Sequence, residues 1–210
     1  MTQPGATPLA ESRVTIHMAA SLDGFIARRD GSVDWLETTD HFAEGEETSL
    51  ESVTEFLGAI DCYVMGSHTY ETALAFEAKG MGWAYGDTPV FVLTRRELRR
   101  VRSTVEFHSG DLQRFVDRQL RPRFRSIWVA GGAAVAGECL RRGIADEVRY
   151  TILPVAIGDG IPFFGRLGQD VALHLREVTA YRNGTVAVRY DVKRPGEEAK
   201  GTGRAAERGR

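Results

Sequence analysis

Apolar, β-rich runs recur along this chain and alternate with stretches whose apolar residues fall three and four apart, a rhythm that few folds accommodate. "VTIHMAA" from Val14 is followed by helical spacing at Leu50, Val53, Phe56 and Leu57, and "CYVMG" from Cys62 runs into "SHTYETALAF" from Ser67. "PVFVLT" from Pro89 precedes a helical pattern at Leu112, Phe115, Val116 and Leu120. "SIWVA" from Ser126 passes through Gly131-Gly132 into Val135, Cys139 and Leu140. Strands separated by helices in this way pair in parallel. After "DEVRYTILPV" from Asp146 the rhythm changes. "LHLREVTAYRNGTVAVRYDV" from Leu173 holds two strand-like halves about Asn183-Gly184, a pair favoured where both central residues of a hairpin turn take positive φ. The expected fold class is α/β: a central mixed, mostly parallel sheet flanked by helices and finished by a C-terminal antiparallel hairpin.

Composition narrows the function classes. With 210 residues, 42% of them hydrophobic, one sizeable core is expected over residues 13–193. Residues 1–12 are rich in Pro, Thr and Ala, and 194–210 have no large apolar side chain to bury, so both ends are expected to be disordered. A formal net charge of −2 gives no global reason to bind nucleic acid or an anionic membrane. The arginines from Arg95 to Arg102 lack the interleaved aromatics of a nucleic-acid binder. No apolar stretch reaches transmembrane length, and "MTQPGATPLAES" lacks the basic end and apolar middle of a signal peptide. Cys62 and Cys139 sit inside apolar segments without C-x-x-C spacing, which suits reduced core thiols and a cytoplasmic protein. The histidines, at 17, 41, 68, 108 and 174, show no ligand spacing, so no metal is expected.

Open α/β sheets bind ligands beyond the carboxyl ends of their strands, and three such ends here suit phosphate. Gly66-Ser67-His68-Thr69 follows the "CYVM" strand, with Ser67 as a candidate N-cap at a helix start that offers unpaired N–H groups. Thr94-Arg95-Arg96 follows "PVFVL" and brings guanidinium groups suited to a phosphate ester. Gly131-Gly132 removes side chains at a strand-to-helix junction, so that a group can approach bare backbone. The spacing Gly131, Gly132, Gly137 does not match G-x-G-x-x-G, and an ordinary Rossmann dehydrogenase is disfavoured.

Five segments in order, "AASLDGFIA", "VMGSHTYE", "VLTRR", "WVAGGAAVAGECL" and "DEVRYTILPVAIGDGIPFF", resemble the dihydrofolate reductase-like superfamily, in particular the reductase domain of riboflavin biosynthesis and its uncharacterised bacterial relatives. The resemblance runs from about Arg13 to Val192. It implies an NADPH-dependent reductase that transfers a hydride to a small heteroaromatic or carbonyl substrate, and a homodimer. It assigns Gly66, Ser67, His68 and Thr69 to the cofactor phosphates, Thr94, Arg95 and Arg96 to the adenosine 2′-phosphate, and Gly131, Gly132 and Ala133 to the pyrophosphate. In relatives the double-glycine peptide is often cis. This chain has Ala130 where many riboflavin-pathway reductases carry an acid just before the glycines, and it has no H-x-E with P-C-x-x-C for a fused zinc deaminase.

Asp23, in "SLDG" after the first strand, is the candidate catalytic residue, since a carboxyl whose pKa is raised by burial could supply the proton that accompanies a hydride. Asp-Gly is equally a common turn pair. Trp35, Leu36 and Phe163 are the candidate substrate-pocket residues, with Trp83, Tyr85 and Phe164 as further aromatic walls. Two other functions remain open at this stage: 5-amino-6-(5-phosphoribosylamino)uracil reductase, and a non-catalytic NADP-binding sensor or scaffold.

Overall fold

A computed structural model describes residues 11–194 of the chain. The terminal segments expected to be disordered lie outside the described residues, except at 11, 12 and 194. Ser12 and Arg194 are tied to the domain, by Arg121 donating to the Ser12 carbonyl and by an Arg194–Asp146 ion pair.

The first strand, β1 (Arg13–Ser21), is followed by the short β2 (Phe25–Ala27), α1 (Leu50–Gly58), β3 (Cys62–Gly66) and α2 (Ser67–Ala78). Then come β4 (Val90–Leu93), β5 (Val105–His108) and α3 (Leu112–Phe115), which continues into a π-helical turn at Val116–Leu120. β6 (Ser126–Gly131), α4 (Ala133–Arg141), β7 (Glu147–Leu153), the short β8 (Ile161–Pro162), β9 (Leu173–Ala180) and β10 (Val186–Val192) complete the domain. Eight strands form one sheet in the order β5-β4-β3-β6-β1-β7-β10-β9. β5 to β7 are mutually parallel across that order, and β10 runs antiparallel to both of its neighbours, β7 and β9. β2 and β8 pair separately.

Strand alternation places the core. Val14, Ile16, Met18 and Ala20 of β1 point to one face, where Leu112, Phe115, Val116 and Leu120 pack with Val135, Ala136, Cys139 and Leu140 of α4. On the other face Tyr63 and Met65 of β3 meet Val90, Val92, Val105 and Tyr70 of α2. β3 is buried on both faces from Cys62 to Met65, as a central parallel strand must be. Both cysteines are free and buried, and burial pushes each thiol up to about 12.

The hairpin turn differs from expectation. Only Gly184 has positive φ, 76°, and its N–H donates to the Tyr181 carbonyl while the Tyr181 N–H donates to that of Thr185. This is a four-residue turn closed by a glycine bulge rather than a turn with two left-handed centres. α1 also departs from a simple core helix. Val53 and Leu57 remain 38% and 41% exposed, and the helix is anchored by Phe56 against the His17 and Trp128 rings.

Candidate functional site

The carboxyl ends of β1, β3, β4 and β6 open together into a cleft of about 660 Å³. Met18, Ala19, Gly66, Leu93, Ala130 and Gly131 line its sheet side, and the first turns of α2 and α4 supply Ser67, His68, Thr69 and Ala133. The N-cap residues of these helices are Gly66 and Gly132, and neither helix has a side-chain cap. Ser67 is therefore not the N-cap expected from sequence, because the extended Gly66 ends β3 directly and Ser67 is already helical. Two helix N-termini thus bring uncapped backbone N–H groups, and the positive ends of their dipoles, to one cleft.

Gly131 has φ of 138°, and a Cβ there would lie 2.9 Å from Thr69 Oγ1 and 3.5 Å from Met18 Sδ. Glycine is required by both backbone and space. The Gly131-Gly132 peptide is cis. Gly137 serves packing: a Cβ there would lie 2.3 Å from the Phe164 carbonyl oxygen.

Thr94, Arg95 and Arg96 border the cleft just beyond Leu93 without lining it. The Arg96 guanidinium grips Glu71 of α2 at 3.0 and 2.5 Å, raising its own pKa and lowering that of Glu71. The Arg96 backbone N–H donates to Thr94 Oγ1 at 2.9 Å. Arg95 is exposed and makes no ion pair among the described residues.

Of the expected substrate-pocket residues, Leu36 lines the cleft with Val33 and Ile26. Trp35 does not. It is turned inward and 6% exposed, and its Nε1 is shielded without a partner. Phe163 is also a core residue, 2% exposed, with its ring 4.3 Å from Tyr150 and 4.5 Å from Phe164. Among the other aromatics considered, Tyr85 lines the cleft.

The structure places Asp23 away from the cleft lining. Its carboxylate accepts the N–H groups of Ile157 and Gly158 at 3.1 and 2.7 Å and so fastens the β1–β2 turn to the loop after β7. The Ser21 hydroxyl, then these backbone donors, hold its pKa below the usual aspartate value. These hydrogen bonds outweigh the upward pull of desolvation, so the raised pKa expected of a proton donor is missing.

Sequence reading missed a second cavity. His17 and Ala19 point to the same face of β1; Ala19 lines the large cleft, and His17 lines a cavity of about 270 Å³ between α1 and the sheet of β7, β10 and β9. The His17 ring stacks on Trp128 with centroids 4.7 Å apart, and its Nε2 lies 3.0 Å from Thr151 Oγ1. Burial, then the nearby Arg149 charge, lowers its pKa to about 4. Arg149 is held 2.6 Å from Glu147 and lies over the Phe56 ring, while Arg189 is 3.2 Å from Glu177. The sequence signal was a histidine alternating with apolar residues on a central strand.

Comparison with known proteins gives this geometry relatives. The family model described as the RibD C-terminal domain matches residues 12–187. The uncharacterised Bacillus subtilis protein YwjB is 31% identical over 166 residues, spanning 79% of this chain and 90% of its own length. A Shewanella sp. PV-4 structure designated a riboflavin biosynthesis protein has a TM-score of 0.71 at 25% identity, covering 87% of this chain and 99% of that one. The Thermotoga maritima diaminohydroxyphosphoribosylaminopyrimidine deaminase/5-amino-6-(5-phosphoribosylamino)uracil reductase has the same fold, with a TM-score of 0.61 at 18% identity. This chain is covered to 87% by that match and spans 57% of the Thermotoga chain.

Proposed function

The chain belongs to the RibD C-terminal domain family, within the dihydrofolate reductase-like fold superfamily, and from that premise we propose that it is a cytoplasmic NADPH-dependent reductase of a small heteroaromatic or carbonyl compound. The observation that carries this reading is the convergence of two uncapped helix N-termini on one cleft, with Gly131 kept bare between them. Such a cradle suits a dinucleotide's phosphates, because backbone N–H groups and helix dipoles favour anions without any side-chain charge. Gly66 to Thr69 and Gly131 to Ala133 would hold the diphosphate. Thr94 and Arg95 would take the 2′-phosphate, since Arg96 is already committed to Glu71. When bound, the cofactor supplies the hydride. Apolar Ile26, Val33 and Leu36, which line the same cleft, would exclude water from a bound ligand.

Calorimetric titration of the purified chain should show NADPH binding more tightly than NADH, and NADPH should be oxidised in the presence of a carbonyl or heteroaromatic panel. Losing one charged contact is worth about 1.5–3 kcal/mol, so Arg95→Ala should weaken NADPH about tenfold or more and leave NADH nearly unchanged. Equal affinity for both cofactors in the unmodified protein rejects the 2′-phosphate assignment. Tight NADPH binding with no oxidation across the panel favours a non-catalytic sensor instead.

A further inference from the structure

The large cleft does not end at the phosphate cradle. The residues of α2 that line it beyond the first turn are Thr72, Ala73 and Phe76, which with Thr69 are spaced three and four apart and so share one face of the helix. β3 and β4 are parallel, so α2 between them runs back from the carboxyl ends of the strands, and Phe76 lies about 13 Å along the axis from Ser67. The loop after α2 adds Gly82, Ala84 and Tyr85 to the same lining. The strand ends themselves follow the order β4, β3, β6, β1. A dinucleotide with its 2′-phosphate at Thr94 and Arg95 and its diphosphate at the two helix N-termini would extend along that row toward Met18 and Ala19 of β1. The stretch beside Phe76 branches off the row.

Its chemistry is uniform. Among the described residues no Lys, Arg, Asp or Glu lines the cleft, and Ser67, His68 and Thr69 belong to the cradle end. Farther along α2, the Thr72 hydroxyl is already committed, donating to the His68 carbonyl at 3.0 Å. Burial pushes the Tyr85 phenol up to about 12, so that wall stays neutral. Arg102 lies over the Trp83 ring and pairs with Glu77; its Nε is shielded, and it does not line the cleft. A phosphate entering this branch would give up its water and gain no cation. An apolar group would instead exchange water for the Phe76 and Tyr85 rings, which favours its entry.

We propose that this branch is a specificity subsite for an uncharged aryl substituent of the substrate, with Phe76 and Tyr85 as its walls. The proposal rests on the reductase reading, and it narrows the substrate class to compounds that carry an apolar group, and no phosphate, at this end.

The test uses the full chain and two probes that share one ring system, 1-naphthol and 1-naphthyl phosphate, titrated by calorimetry with and without saturating NADPH. NADPH itself is titrated on every protein. 1-Naphthol should bind saturably whether or not NADPH is present, and about tenfold or more tightly than 1-naphthyl phosphate. Phe76→Ala should weaken 1-naphthol about fivefold or more, whereas Phe76→Leu, which keeps an apolar wall, should weaken it less than about threefold. Ala84→Lys, at an exposed loop position, should tighten 1-naphthyl phosphate relative to 1-naphthol by about threefold or more. All three variants should bind NADPH as the unmodified chain does. A failure of the cofactor reading therefore appears as absent NADPH binding, while the naphthol pair still decides the subsite. Equal or tighter binding of 1-naphthyl phosphate by the unmodified chain, no saturable binding of 1-naphthol at millimolar concentration, its displacement by NADPH, or unchanged probe binding in both Phe76→Ala and Ala84→Lys would each overturn the proposal.

Discussion

Individual residues behave according to the partners that the fold gives them. Asp23 and His17 both belong to the first strand and its turn, yet their environments favour opposite charge states. Asp23 stays ionised as a loop fastener, and His17 stays neutral in a shielded aromatic stack. The histidine has a measurable consequence. Its pKa in the folded chain is about 4 against 6.5 for an ordinary histidine, so on acidification the unfolded chain takes up the proton first. Stability is therefore complete above about pH 6.5 and falls as pH drops toward about 4, by about 3 kcal/mol in all. His17→Phe keeps a flat ring and has no proton to bind. Urea unfolding at about pH 7 and about pH 4.5 should show the unmodified protein losing more stability than the variant, by about 2–3 kcal/mol. Equal losses in the two proteins would show that His17 is not the group that titrates.

At the scale of elements, the junction of β6 with α4 is where sequence and geometry agree most closely. A strand that turns at once into a helix was legible from "SIWVAGGAAVAGECL", and so was the need for bare backbone. Which glycine is obligatory was not legible, because the crowding comes from Thr69 on another helix. Gly131→Ala should lower stability by about 1–3 kcal/mol, since it forces a side chain into a positive-φ conformation and against Thr69. Gly132→Ala has φ of −95° and meets Thr69 Oγ1 only at 3.5 Å, so its thermal midpoint should stay close to that of the unmodified chain. A thermal melt of each variant checks the contrast, and equal midpoints would remove the crowding argument. β5 escaped the sequence reading because four residues, Val105 to His108, are too few for alternation to stand out from a loop. The helix that follows was found, because Leu112, Phe115, Val116 and Leu120 repeat over two turns and all are buried.

For the whole molecule, the sheet ends on β9, whose residues from Leu173 to Val178 are exposed on both faces. Leu175 and Val178 are 49% and 58% exposed, and the outer edge is bonded at its end, where the Ala180 carbonyl accepts the Glu46 N–H at 2.8 Å. An edge strand with apolar side chains and open backbone groups is a pairing surface, and a second copy of this chain is its proposed occupant. Light scattering at micromolar concentration should report a dimer, and Leu175→Glu with Val178→Glu should shift it to monomer; a monomeric unmodified chain would refute the assignment. Sequence by itself determined the order of the longer strands and helices, the change from parallel crossovers to a terminal hairpin, and the phosphate-friendly strand ends, because periodicity and glycine placement act over a few neighbouring residues. Only the tertiary structure decided that Asp23 reaches Ile157 and Gly158 across the chain, that Trp35 and Phe163 turn into the core while Leu36 faces the cleft, and that His17 shares a cavity with Phe56, Thr151 and Arg189. Those outcomes depend on contacts between residues up to more than a hundred positions apart, which strand pairing and packing create and no local pattern encodes.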